Sequence, residues 1–183
     1  NLLSVISTAI LLGIPKEKAL EYASLLKSVR GRFEYVIVNG ITAVVDYAHT
    51  PDALKNVIET INDIRTGNES LITVVGCGGD RDTIKRPLMG EISSSLSSKV
   101  IFTSDNPRSE SAESIIEQMN TGVNPVDFKK ALSISNREEA IKTACQLANP
   151  KDIILIAGKG HETYQEINGI KNHFDDYEIV KNY

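Results

Sequence analysis

Asp105, Asn106, Pro107 and Arg108 place a carboxylate, an amide and a guanidinium within four residues, directly after the apolar run Val100 to Phe102. That run reads as a buried strand ending at a ligand-facing edge. Proline fixes its own φ and pushes Asn106 away from the α region, so the polar heads stand on a stiff, preset loop. A forked guanidinium matches a carboxylate in two parallel bonds, and Asp105 matches an ammonium. An amino acid would satisfy both. The same four residues also suit a turn ahead of a helix beginning near Ser109.

Three further polar clusters follow apolar runs. Gly76, Cys77, Gly78, Gly79, Asp80, Arg81 and Asp82 combine backbone that a ligand can approach closely with a mobile cation, or form a structural tight turn. Lys85 and Arg86 come just afterwards at a helix start, where cations oppose the dipole and call for a nearby anion. Asp46 to Asp52 reads as a strand end running into a helix, with Thr50 as cap, Pro51 near the first position, and His49 as either a structural residue or a phosphate or ribose contact. Gly158, Lys159, Gly160, His161 and Glu162 offer flexible backbone, a cation and a carboxylate. None of these has the spacing of a dinucleotide fingerprint or a P-loop, and no nucleophile stands beside an evident base.

The elements that would position these groups alternate. Residues 2–12 and 15–26 read as a helical hairpin, with Ala19, Leu20, Ala23 and Leu26 on one face. Phe33 to Val38 and Ile41 to Asp46 flank Asn39-Gly40, the signal of a tight β-hairpin. Helices are expected at 51–64, 85–96, 111–119, 137–147 and 175–183, with strands at 71–75, 100–102 and 153–157. This pattern predicts an α/β fold, a mostly parallel sheet with helices on both faces, preceded by the helical segment and the hairpin. Ligands of such sheets gather outside the carboxyl ends of the strands, where all four clusters fall.

The 183 residues suffice for one sizeable core. With 20 basic against 24 acidic residues, a formal charge of -4 and no basic stripe interleaved with aromatics, nucleic acid is not an expected partner. No apolar stretch approaches a membrane span and the start lacks a signal-peptide pattern, so the expected compartment is the cytoplasm. Cys77 and Cys145 lack metal or disulfide spacing and are expected as thiols.

Taken together, Gly31, Arg32 and Glu34, then Asp46 to Asp52, Gly76 to Asp82, Lys85 to Gly90, Asp105 to Arg108 and Ala157 to Glu162 resemble the Mur ligase family in order and spacing, across essentially the whole chain. The most similar branch adds meso-2,6-diaminopimelate to UDP-N-acetylmuramoyl-L-alanyl-D-glutamate in peptidoglycan synthesis. The resemblance implies a three-domain enzyme whose third domain, Rossmann-like, receives the amino acid. Residues 31–183 would be that domain, and residues 1–30 the last helices of the central ATPase domain. ATP and Mg2+ would be held mainly by that central domain, with its P-loop and carbamylated lysine, so the chain alone is expected to be inactive. Partners would be meso-diaminopimelate here, and ATP and the UDP-linked dipeptide through the other domains.

In that reading ATP phosphorylates the glutamate carboxylate and the amine of the amino acid attacks the resulting acyl phosphate. Arg81, Asp105, Asn106, Arg108, Gly158 and Glu162 would bind meso-diaminopimelate, Arg108 at the distal carboxylate and Asp105 and Glu162 at ammonium groups. Arg32, Asp46 and His49 would contact ATP, Arg32 at phosphate. Lysine lacks the second carboxylate and would set an ammonium against Arg108, costing roughly 2 to 5 kcal/mol. A lysine-adding ligase, a non-catalytic amino-acid or protein binding module, and a nucleotide-binding enzyme using residues 76–82 remain as alternatives.

Overall fold

A computed structural model describes residues 2–26 and 29–183; residues 1, 27 and 28 of the expected helical segment lie outside the described residues. Two short helices, α1 (Leu2–Leu11) and α2 (Lys16–Ser24), form the expected hairpin. Ala19 is buried, but Leu20 and Leu26 are exposed. A β-hairpin follows, β1 (Glu34–Val38) and β2 (Ile41–Asp46), joined at Asn39 (φ 52°) and Gly40 (φ 79°). Two successive positive φ values are the signature of the turn whose twist matches paired strands.

The α/β part runs α3 (Pro51–Ile64), β3 (Leu71–Val75), α4 (Lys85–Leu96), β4 (Lys99–Phe102), α5 (Ala112–Asn120), a 3-10 turn (Pro125–Lys130), β5 (Ala131–Ser133), α6 (Arg137–Leu147) and β6 (Ile153–Ala157). It closes with a second hairpin, β7 (Tyr164–Ile167) and β8 (Ile170–His173), and α7 (Asp176–Lys181). The six-stranded sheet has the order β1-β2-β6-β3-β4-β5, and every neighbouring pair except β1 with β2 is parallel. The chain skips a place between β2 and β3, and β6 returns to fill it. All the parallel strands therefore end on one edge.

Strands buried on both faces read as continuous apolar runs, and Leu71-Ile-Thr-Val-Val75 is buried throughout. Side chains alternate between two cores. Leu71 and Val75 join Val100, Phe102 and Leu155 beneath Leu54, Ile58, Met89 and Ile115 of α3, α4 and α5. Ile72 and Val74 join Ile101, Ile154 and Ile156 beneath Ala140, Ile141 and Val180 of α6 and α7. Thr50 caps α3, its hydroxyl accepting from the Ala53 amide at 3.3 Å. Ser111 caps α5, and Ser109 instead lies one turn outside it. The closing helix is shorter than the expected 175–183, since Asp175 is its N-terminal cap and it ends at Lys181 with Asn182 as its C-terminal cap. No described helix is long and apolar enough to cross a membrane.

Candidate functional site

The four polar clusters meet at the carboxyl edge of the sheet in a cleft of about 530 Å3. Beyond β4 the chain stays buried through Pro107. The Thr103 amide donates to the Val75 carbonyl at 3.0 Å, and Gly79 N donates to the Asn106 carbonyl at 2.9 Å, so the loops after β3 and β4 are laced together. Arg108 sits at φ 53°, an unusual place for a residue with a side chain. It is held there by the β7 hairpin, the Arg108 amide donating to the Glu166 carbonyl (3.1 Å) and the Asn168 amide to the Arg108 carbonyl (2.8 Å). A strained residue persists only where its surroundings over-determine it.

All six residues expected at the amino acid line this cleft: Arg81, Asp105, Asn106, Arg108, Gly158 and Glu162. Gly158 adopts φ 115°, and a Cβ there would stand 2.6 Å from Asp105 Oδ2. The β6 loop can thus approach the acidic residue only as glycine. Asn106 Nδ2 donates to Glu162 Oε2 at 2.8 Å, bridging the β4 and β6 loops. Arg108 Nη1 donates to the Gly79 carbonyl at 2.7 Å and its Nε lies 3.6 Å from Glu166 Oε2, which aims the guanidinium along the cleft wall. Its remaining donors suit a carboxylate.

Of the three residues expected at ATP, only His49 lines the cleft. Arg32 is exposed and lies over the Tyr47 ring, 4.7 Å from its centre. Asp46 is occupied within the fold: Oδ2 accepts from Phe33 N and Oδ1 from Ala48 N, each at 2.8 Å. Among the described residues no group of three or more histidine, cysteine or acidic side chains could hold a metal ion.

Several residues that matter here were not singled out as site residues. Arg86 is fully buried, and the anion its position called for is Glu110, which it meets through both terminal nitrogens at 2.8 Å. That guanidinium, helped by the Asp80 amide, holds the Glu110 carboxyl down to about 2. Lys85 Nζ donates to the His49 carbonyl at 2.9 Å. Lys159, also fully buried, donates to Asn106 Oδ1 at 2.9 Å. Cys77 lines the cleft, but burial pushes its thiol up to about 12, so it is no nucleophile.

Residues 31–160 match the family model described as Mur ligase, glutamate ligase domain. The chain belongs to the Mur ligase family. Among its relatives, the UDP-N-acetylmuramoyl-L-alanyl-D-glutamate--2,6-diaminopimelate ligase of Cytophaga hutchinsonii is 56% identical over 182 residues, covering 99% of this chain and 37% of that protein. The ligase of the same name from Bacteroides thetaiotaomicron is 53% identical, covering 99% and 38%. A solved structure of a ligase with that name superposes with a TM-score of 0.78 at 40% identity, over 97% of this chain and 36% of that one. UDP-N-acetylmuramate-alanine ligase from Thermotoga maritima shares the fold, with a TM-score of 0.63 at 17% identity over 99% of this chain and 35% of that one. This Mur ligase chain therefore spans little more than a third of the length of such relatives, 37% in the first case.

Proposed function

We propose that this chain is the amino-acid-delivering part of an ATP-dependent ligase that joins meso-2,6-diaminopimelate to UDP-N-acetylmuramoyl-L-alanyl-D-glutamate, a cytoplasmic step of peptidoglycan synthesis. One observation carries the reading: a single cleft brings two carboxylates, Asp105 and Glu162, together with the Arg108 guanidinium, all on loops that follow strand ends. Meso-diaminopimelate presents ammonium and carboxylate groups at both ends of a short chain, which this arrangement matches. Relatives bearing that ligase name, at 56% and 53% identity, support the same substrate.

Residues 31–183 form the receiving domain, and residues 1–30 end the preceding one. Exposed Leu3, Leu11, Leu12 and Leu25 on the helical hairpin support that division, since such apolar surface suits a packing partner. ATP and Mg2+ would be held mainly by the rest of the enzyme, where ATP would supply the phosphoryl group that activates the glutamyl carboxyl of the UDP-linked dipeptide. On this side Arg32 meets phosphate and His49 a nucleotide group. Asp46, its oxygens committed to Phe33 and Ala48, fixes the strand end from which His49 projects.

This chain's own contribution is positioning. Fixing an amine against an acyl group removes translational and rotational freedom, worth about 7 kcal/mol of barrier in favourable cases. Arg108 also selects the substrate, because lysine would leave the guanidinium unpaired and face it with a like charge. In the full-length ligase, Arg108→Ala is expected to raise the Michaelis constant for meso-diaminopimelate by tens- to a thousandfold, equivalent to roughly 2 to 5 kcal/mol. An unchanged constant would remove the assignment.

A further inference from the structure

Lys159 is a fully buried cation that does not itself line the cleft. Burying an ammonium is costly unless acceptors surround it. Two do: Asn106 Oδ1 at 2.9 Å and Glu162 Oε2 at 3.3 Å, with the Tyr164 ring centre 5.7 Å away. Both acceptors belong to residues that line the cleft. We infer that Lys159 is a positioning residue that locks the Asn106 amide in one orientation and so sets which end of the diamino acid faces which wall, a role that rests on the reading of the cleft given above.

An asparagine amide has an acceptor end and a donor end, and the network around it decides which way it points. Asn106 Oδ1 accepts from Lys159 Nζ and from the Glu166 amide, each at 2.9 Å, while Nδ2 donates to Glu162 Oε2 at 2.8 Å. Turned round, the NH2 group would face an ammonium and an N–H, and the oxygen would face a carboxylate. All three contacts would be mismatched. The amide therefore has one permitted orientation, and one Nδ2 hydrogen remains for a ligand. That hydrogen requires an acceptor.

Asn106 thus belongs with Arg108 on the carboxylate-reading wall, because its Oδ1 is already taken by Lys159 and the Glu166 amide and is not offered to an ammonium of the ligand. Asp105 and the second oxygen of Glu162 form the adjoining, ammonium-reading wall. Lys159 stands behind the seam between them. Without its charge and its protons, among the described residues Asn106 Oδ1 keeps only the Glu166 amide and the Glu162 carboxylate keeps only Asn106. The amide can then turn, and the two walls lose their fixed polarity.

The test uses Lys159→Met, which keeps the length and removes charge and donors, in the full-length ligase. Expected is a rise in the Michaelis constant for meso-diaminopimelate of about tenfold or more, with kcat and the constants for ATP and the UDP-linked dipeptide changed by less than about threefold. A folded variant with an unchanged diaminopimelate constant overturns the inference. A wild-type ligase that does not use meso-diaminopimelate overturns the functional reading instead. Should the variant not fold, NMR on the 15N-labelled full-length wild-type ligase decides. A slowly exchanging Lys159 ammonium with cross-peaks to Asn106, and an Asn106 Nδ2 proton that shifts on titration with meso-diaminopimelate, support it. Cross-peaks with no such shift, or no ammonium signal, overturn it.

Discussion

Arg86 and Arg137 are both fully buried, each grips a carboxylate with two nitrogens, and they lie at the starts of helices on opposite faces of one sheet. Their surroundings differ. Arg137 meets Asp176 through Nε and Nη2, each at 2.8 Å, and both side chains are 0% exposed. It also donates to the Ala157 carbonyl (3.1 Å) and the Ser104 carbonyl (3.4 Å), tying α6, α7 and two strand ends together. Arg86 meets Glu110, whose side chain is 29% exposed, and donates to Gln118 Oε1 at 2.9 Å and the Gly78 carbonyl at 3.2 Å, while among the described residues its Nε has no partner. The same ion pair does two jobs. Between two helices it welds the fold; between the start of α4 and the loop after β4 it clamps the parts of the cleft that carry Arg81 and Arg108.

The weld should fail hardest when broken. Asp176→Ala leaves the buried Arg137 with carbonyl oxygens as its hydrogen-bond partners among the described residues, and is expected to cost about 3 to 5 kcal/mol in denaturant unfolding. The double change Arg137→Met with Asp176→Leu should recover most of that, since matched apolar side chains replace a buried pair at little net cost. A single-variant loss below about 1 kcal/mol would show that water reaches Arg137 and would dissolve the distinction.

The clamp should fail in binding before it fails in stability. Gly79 sits so close to the neighbouring loop that a Cβ would stand 1.9 Å from the Pro107 carbonyl oxygen. Gly79→Ala must therefore push the two loops apart, at an expected cost of about 1 to 3 kcal/mol in stability. Because Arg108 Nη1 bonds the Gly79 carbonyl, the guanidinium moves too. In the full-length ligase the diaminopimelate constant should rise more than about tenfold, against a smaller effect for the weld variants. Equal effects in the two series would break the comparison.

Much of this arrangement was legible in the chain. Strands such as Leu71–Val75 and Ile153–Ala157 are apolar on both faces, and helices such as Pro51–Ile64 and Arg137–Leu147 have the expected bounds. Local pattern and tertiary burial agree there. The three-residue edge strand Ala131–Ser133 has no apolar run to mark it, and pairs only with β4. The second hairpin did carry a signal, Asn168-Gly169 with φ 50° and 77°, the same pair as Asn39-Gly40. Its flanks, Tyr164 to Ile167 and Ile170 to His173, are mostly polar and partly or fully exposed, so no buried face announced them. In the site, the polar clusters were readable because each follows a strand, and the choice of the six cleft residues within them came from the family resemblance. Lys159 was not readable as buried, because one of its acceptors, Asn106, lies 53 residues away and is brought to it only by the sheet.

The gentlest way to separate clamp from weld is to remove the charge of Glu110 and keep its shape. The Arg86 guanidinium foremost, and then the Asp80 amide, depress the Glu110 carboxyl from 4.5 to about 2. A carboxyl that is harder to protonate folded than unfolded makes the unfolded chain the better proton binder, so stability rises with pH across that interval. Its contribution is complete above about pH 4.5 and is lost as the pH falls towards about 2. Glu110→Gln should therefore be less stable than the wild-type chain at neutral pH, and its acid limb should be flatter between those values, read by denaturant midpoints at each pH. Asp176→Ala serves as the contrast, with the larger loss at pH 7. If Glu110→Gln leaves the acid limb as steep as before, the carboxyl is not held by Arg86, and the loops around Arg108 owe their position to the Asp80–Ser109 contacts at 2.6 and 3.3 Å instead.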